Sequence, residues 1–326
     1  MPHPTTPRRA LLALGLALPA LWPAARSRAQ SPVPLRLIVP APPGGPTDIL
    51  ARAVGDKAQA ALGRPVIVDN RAGAGGAIGS EAAARAAPDG NTLVLGHNQT
   101  HASNQSMMAN LRYHVIDSFE PVARLGTVHH ALVVPANSPS PTLAALIERG
   151  RRERVTYASS QAGSASHVIS ETLARRTGMN ATHIPYRGAA PAATDTMAGV
   201  VDFYTATFPS VAALVRDGKL RALAIGAPAR VAGFPDVPTA AEAGQAEPFV
   251  DAWFGLFAPK DTPAPLVDAI SAAMLGALED ATVRQRLENA GFTLAPQGPA
   301  EFAAFQKAEV ARWAEMAQLT GIRMEE

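Results

Sequence analysis

Leu35-Arg36-Leu37-Ile38-Val39-Pro40-Ala41-Pro42-Pro43-Gly44-Gly45-Pro46-Thr47-Asp48 joins an apolar run to a glycine loop, and Ile49-Leu50-Ala51-Arg52-Ala53-Val54 follows. The order is strand, glycine loop, helix start. Such a junction aims backbone N–H groups at one point, and the positive end of the helix dipole favours an anion there. The N–H groups of Gly44, Gly45 and the first helical turn are candidates for holding a carboxylate. Prolines on both sides stiffen the loop. Thr47 or Asp48 can instead cap the helix. Capping suits Asp48 better, because its charge repels an anion. No obvious acid, base, metal ligand or nucleophile flanks the loop, so its chemistry is holding rather than reacting.

Outward from this junction, strand-like and helix-like runs alternate. Strands are expected at Leu35–Val39, Val66–Asp69, Thr92–Leu95, Ala131–Val134, Val155–Ala158, Thr182–Pro185, Val201–Thr205, Leu220–Ile225 and Trp253–Phe257. Helices are expected over Thr47–Leu62, Ile78–Ala86, Ser166–Thr177, Ala190–Ala198, Pro265–Leu278 and Glu301–Gln318. The spacing of Leu50, Val54, Ala58 and Ala61, and of Leu266, Ile270, Met274 and Leu278, is helical. Gly63 and Gly178 stop their helices. This alternation predicts an α/β fold with mainly parallel sheets. Loop composition places domain boundaries near Val128–Pro135 and before Trp253. Residues 30–131 and 251–326 then form one lobe, and residues 132–250 an inserted second lobe. Two crossings between compact lobes make a hinge.

The N-terminus reads as an export signal. Arg8 and Arg9 precede the apolar core Ala10–Leu21, and Ser27-Arg28-Ala29 is a small-x-small cleavage pattern. Cleavage near Ala29 gives a periplasmic product, and the paired arginines leave twin-arginine and ordinary secretory export both open. The apolar core is shorter than the ~20 residues that span a bilayer. Residues 1–29 hold four of the 29 Lys and Arg and none of the 27 acids, so the remainder carries two net negative charges. The basic balance of the whole chain therefore belongs to the signal and does not argue for nucleic acid. With no Cys in the sequence, disulfides, thiolate catalysis and Cys-ligated zinc are excluded.

Other segments offer polar groups at strand ends. Ala72-Gly73-Ala74-Gly75-Gly76-Ala77-Ile78-Gly79 resembles a dinucleotide fingerprint imperfectly, because Ile78 stands where a third Gly belongs. A nest of N–H groups near the same cleft is the better reading, and Gly75 is its candidate. Gly96-His97-Asn98-Gln99-Thr100-His101-Ala102-Ser103-Asn104 follows the third strand and looks like a loop. His97 and His101 have helical metal spacing but no acid arranged with them, and no metal is expected. His129 and His130 point to opposite faces if they lie in a strand. Tyr157-Ala158-Ser159-Ser160-Gln161-Ala162-Gly163-Ser164-Ala165-Ser166-His167 repeats the strand, small-residue loop, helix logic. Ser164 or Ser166 opens the helix, either as part of a second anion site or as an N-cap alone. The G-x-S-x-G elbow of a hydrolase is absent. Tyr186 and Arg187 end another strand; either can meet a ligand, and Arg187 reads better as a surface residue.

Taken together and in order, these phrases resemble the solute-binding proteins of tripartite tricarboxylate transporters, the Bug-type family. The matching stretches are Leu35–Asp48, Val66–Gly79, Ala87–Gly96, Val155–His167, His183–Ala190, Gly218–Ala224, Pro235–Gly244 and Trp253–Pro259. The resemblance implies a type II periplasmic binding protein fold, two α/β lobes on a two-crossing hinge, closing on a small carboxylate. It places ligand contacts at Gly44, Gly45, Thr47 and Asp48 in one lobe, and at Ser159, Gly163, Ser164 and Ser166 in the other. Thr100 and His101 fall at a further family binding segment, and Gly75, Tyr186 and Thr207 complete the expected site. In Val201-Asp202-Phe203-Tyr204-Thr205-Ala206-Thr207-Phe208-Pro209-Ser210, Ala206 stands where the family often has Asp. That departure disfavours an amino-acid ligand and permits a dicarboxylate, an aromatic acid or a neutral ring.

The expected function is therefore an exported, non-enzymatic receptor without cofactor. It captures a dicarboxylate, tricarboxylate or aromatic acid and passes it to the permease subunits of a tripartite tricarboxylate transporter. No nucleic-acid partner and no stable membrane insertion are expected. The alternatives are a ligand-sensing input for a membrane signalling system, and a hydrolase using Ser164 or Ser166 with His167 or His101.

Overall fold

The computed structural model describes Met1 and residues 33–324, except 232 and 248. The export signal and its cleavage site lie outside the described residues. Eleven strands are β1 Leu35–Val39, β2 Val66–Asn70, β3 Thr92–His97, β4 Phe119–Val128, β5 His130–Pro135, β6 Val155–Ser159, β7 Ala181–Pro185, β8 Phe203–Thr207, β9 Leu220–Ile225, β10 Ala252–Pro259 and β11 Thr293–Gln297. They form two sheets, ordered β11-β4-β10-β3-β1-β2 and β7-β6-β8-β5-β9. The chain changes sheet at His129, between β4 and β5, and again between β9 and β10. Helices pack against both sheets over three apolar cores: one around Leu37, Leu50 and Met274, another around Tyr204 and Val211, and a third that runs between the sheets from Ile38, Val94 and Phe257 to Leu132, Tyr157 and Phe203.

The sheets are mixed, not mainly parallel. Four strand pairings are parallel and five antiparallel. The cause is the insertion. Strands β1, β3, β6 and β8 end at the cleft between the lobes. Strands β5 and β10 enter their sheets from that cleft just after a crossing, so they run the other way. The helix Pro46–Leu62 buries Leu50, Val54 and Ala58 and ends at Gly63 in the left-handed region, at φ +62°. Ala61 and Leu266, the end members of the two helical stripes, face solvent, and Val267 takes the buried place of Leu266. The segment after β3 is not a loop: it winds into a wide helical turn over Gln99–Ser103 and a short helix over Asn104–Met107.

Candidate functional site

Four helix N-termini meet at one cavity of about 160 Å³ between the two sheets. Thr47 is the second residue of Pro46–Leu62. Ser164 is the N-cap of Ala165–Thr177, and Ser166 sits in its first turn. Ala189 opens Ala189–Met197, and Thr207 is the N-cap of Phe208–Arg216. All of these residues line the cavity. The N–H groups of a first helical turn have no intrahelical acceptor, and each helix end carries partial positive charge. No Asp, Glu, Lys or Arg lines the cavity among the described residues. Its field is therefore set by neutral dipoles that favour an anion. Larger grooves elsewhere, of about 410, 670, 540 and 350 Å³, lack this convergence. No helix N-terminus meets the first, and only that of Phe208–Arg216 meets the second.

The remaining wall comes from residues that the sequence did not single out as contacts. His97, Asn98 and Gln99 follow from the end of β3, His130 opens β5, Tyr204 lies on β8, and Phe254 lies on β10. Asn98 is buried, and its Nδ2 has no hydrogen-bond partner. A buried N–H group left unpaired costs about 1–3 kcal/mol, so this amide awaits an acceptor. Burial pushes the His97 and His130 imidazoles down to about 4, against weaker opposing effects of the Asn98 side chain on His97 and of the Val250 carbonyl on His130. Both rings are therefore neutral at pH 7. Burial likewise raises the Tyr204 phenol, which stays protonated and able to donate. One signal in the sequence marks these positions. In open α/β sheets, ligands gather beyond the carboxyl ends of strands, and His97 to Gln99 stand at such an end.

Of the thirteen residues expected at the site, Thr47, Ser164, Ser166 and Thr207 line the cavity. The other nine do not, and their partners say why. Gly44 adopts φ +81° and donates its N–H to Asp48 Oδ2 at 3.0 Å, so that amide is already spent. Gly45 is the N-cap of its helix with extended backbone. Asp48 is buried and also accepts from Asn70 Nδ2 at 3.0 Å and pairs with Arg52 at 3.0 Å. Burial alone would raise its carboxyl, but the bonds from Arg52, Gly44 and Asn70 outweigh that and hold it below the usual range. It fixes the loop. Thr100 folds back, accepting from the His97 N–H at 3.0 Å and donating to the His97 carbonyl at 3.1 Å. His101 is a core residue stacked on Phe257 with ring centroids 4.0 Å apart, and burial drives its titration far down.

Ser159 donates to the Gln161 carbonyl at 2.9 Å and lies 2.6 Å from His183 Nε2. With its one proton committed, Ser159 accepts from His183, the reverse of a nucleophile and its base. Ser164 donates to the Gln161 carbonyl at 2.7 Å, while Ser166 accepts the Ser160 N–H at 3.0 Å. His167 Nδ1 accepts the Gly163 N–H at 3.1 Å, so it serves the loop and not a serine. Tyr186 donates to Asp195 Oδ2 at 2.8 Å, away from the cavity. Gly75 and Gly163 both flank the side chain of Met324: a Cβ at either would come within 2.7 Å or 2.5 Å of it. Ala206 is fully buried in the apolar core of its sheet, paired with Ala131. Among the described residues, no group of three or more His, Asp or Glu is placed to hold a metal ion. No described helix is long and apolar enough to cross a membrane.

The sequence profile of the tripartite tricarboxylate transporter family receptor matches residues 50–322. The chain belongs to that family. Its fold is that of solved periplasmic binding proteins. It is 37% identical to Protein BugT of Bordetella pertussis over 294 residues, which cover 89% of this chain and 90% of BugT. MatC from Rhodopseudomonas palustris, solved with bound malate, is 33% identical with a TM-score of 0.76, covering 87% of this chain and 99% of MatC. A second R. palustris protein, solved with adipate, is 29% identical with a TM-score of 0.81, covering 90% of this chain and 99% of its own. Proteins of this family are solute-binding receptors and not enzymes.

Proposed function

We propose that this family member is a periplasmic receptor that closes two lobes on a small organic carboxylate and hands it to the permease subunits of a tripartite tricarboxylate transporter. The lobes are residues 30–131 with 251–326, and residues 132–250. The carrying observation is the uncharged cavity on which four helix N-termini converge, with the unpaired Asn98 amide in its wall. An anion there is held by aimed N–H and O–H groups, which offset the cost of its desolvation. Thr47, Ser164, Ser166 and Thr207 are its closest candidates from the sequence. A volume of about 160 Å³ is below the ~300–1,000 Å³ of sites for drug-sized ligands, so the guest has few carbons. Relatives solved with malate and adipate support this class. Export rests on the signal read in residues 1–29.

A thermal-shift and calorimetric screen of the mature chain against malate, succinate, adipate, citrate and benzoate tests the reading. A ligand that binds only the folded form raises the melting temperature, by about 2.7 kcal/mol of stability at a hundredfold excess over Kd. At least one acid is expected to bind. Tight binding of a free amino acid, with none of these acids bound, overturns the proposal.

A further inference from the structure

The cavity also carries a tautomer code. His97 stands at the end of β3 in one sheet and His130 at the start of β5 in the other, and both line the cavity. Backbone groups fix the proton on each ring. The Gln99 N–H donates to His97 Nδ1 at 3.3 Å, so that nitrogen is bare and the proton sits on Nε2. The Val250 carbonyl lies 2.8 Å from His130 Nδ1. A carbonyl only accepts, so His130 carries its proton on Nδ1 and leaves Nε2 as a lone pair. His130 Nε2 has no hydrogen-bond partner among the described residues, and the Asn98 side chain stands beside the His97 ring. One sheet therefore offers an imidazole donor and the other an imidazole acceptor.

A carboxylate has no proton to give. It satisfies His97 Nε2–H and the Asn98 amide, but it leaves the His130 lone pair unmatched. An ammonium group would match that lone pair, yet no acidic side chain lines the cavity to balance its charge. A hydroxyl supplies the missing donor without charge, and it accepts as well.

We infer, resting on the carboxylate-receptor reading above, that the ligand is a hydroxy acid whose hydroxyl donates to His130 Nε2. His130 is then the residue that separates a hydroxy acid from its deoxy counterpart. A site built to pair a ligand hydroxyl discriminates strongly against the analogue lacking it, because the protein group is left unpaired.

Matched pairs test this: malate against succinate, lactate against propionate, and 2-hydroxyglutarate against glutarate, each titrated calorimetrically. In at least one pair the hydroxy acid binds roughly tenfold or more tightly, and His130→Phe brings that ratio close to one. A long-range proton–nitrogen spectrum of the unmodified protein gives a second readout that does not depend on the variant folding. It shows His130 protonated on Nδ1, with its bare Nε2 signal moving on addition of the hydroxy acid and not of the deoxy acid. Equal affinity within every pair that binds, a preference that survives in a folded His130→Phe, or an unmoved Nε2 signal overturns the inference and leaves the carboxylate reading standing. No binding by either member of all three pairs overturns the inference, while the wider acid screen then decides the carboxylate reading separately.

Discussion

At the scale of single residues, Asn98 and Asp48 show how polar groups divide between site and scaffold. Asp48 has every neighbour it needs, whereas the Asn98 amide has none. Asn98→Leu removes an unpaired buried donor, so the empty protein should melt no lower than the parent. Ligand affinity should fall roughly tenfold or more, since a hydrogen bond to a charged group is worth about 1.5–3 kcal/mol. Calorimetry beside thermal melts checks both halves; unchanged affinity would remove Asn98 from the site. The sequence made the serine loop and Thr47 legible because strand, small residues and helix start are local signals. It hid His130 and Phe254, which open or lie in strands that flank the two crossings and meet the cavity only after the sheets are assembled. It also drew attention to His101, whose helical spacing from His97 suits a ligand pair. Their environments differ: His97 reaches the cavity, while His101 fills a space among Tyr113, Phe119 and Phe257.

At the scale of elements, β4 and β11 escaped the sequence reading, and their composition explains it. Phe119–Val128 carries Glu120, Pro121 and Arg124, and Thr293–Gln297 carries Pro296, so neither shows a clean apolar alternation. Pairing to β10 makes a strand of β4, and β4 in turn holds β11 at the sheet edge, where a proline is tolerated. Tertiary context decided both. The local junctions were legible for the opposite reason: β1 and its helix have apolar periods and a stop glycine that need no distant partner. Strand β10 sits between β4 and β3 and is buried along its length. Gly255 at its middle faces the Phe302 ring, and a Cβ there would lie 2.0 Å from Phe302 Cζ. Gly255→Ala must displace that ring from a packed core, and should cost about 1–3 kcal/mol or more. Chemical denaturation measures it, and Gly255→Ala combined with Phe302→Leu should recover part of the loss. A Gly255→Ala protein as stable as the parent would mean that the ring has room to move.

At the scale of the whole molecule, two features couple folding and closure to chemistry. Burial holds His97 and His130 near 4 and His167 near 3, all from an ordinary 6.5. Each binds its proton more weakly folded than unfolded, so the unfolded chain takes up more protons in the interval between. Their contribution is full above pH 6.5 and is lost as pH falls toward 4, together on the order of several kcal/mol. Urea melts at pH 7 and pH 4.5 should show that loss; equal stabilities would place the rings in contact with solvent. In the closure proposed above, the C-terminal segment takes part. The Met324 N–H donates to the Met107 carbonyl at 2.8 Å, and its side chain lies against Gly75 of one lobe and Gly163 of the other. Beside it, Gln161 Nε2 reaches Gln99 Oε1 at 3.4 Å across the same gap. Of these, the Met324–Gly163 and Gln161–Gln99 contacts bridge the two sheets, so the lobe opening proposed above would break them and they favour the closed arrangement. A ligand held between the lobes shares in that bias, because its apparent affinity scales with the population able to hold it. Met324→Ala removes about 1 kcal/mol of apolar contact from the closed form, which corresponds to roughly a fivefold loss of affinity. The melting temperature without ligand should barely move, and the change should appear as faster release in stopped-flow displacement. An unaltered release rate would show that Met324 only fills space at the rim and that the lobes close without it.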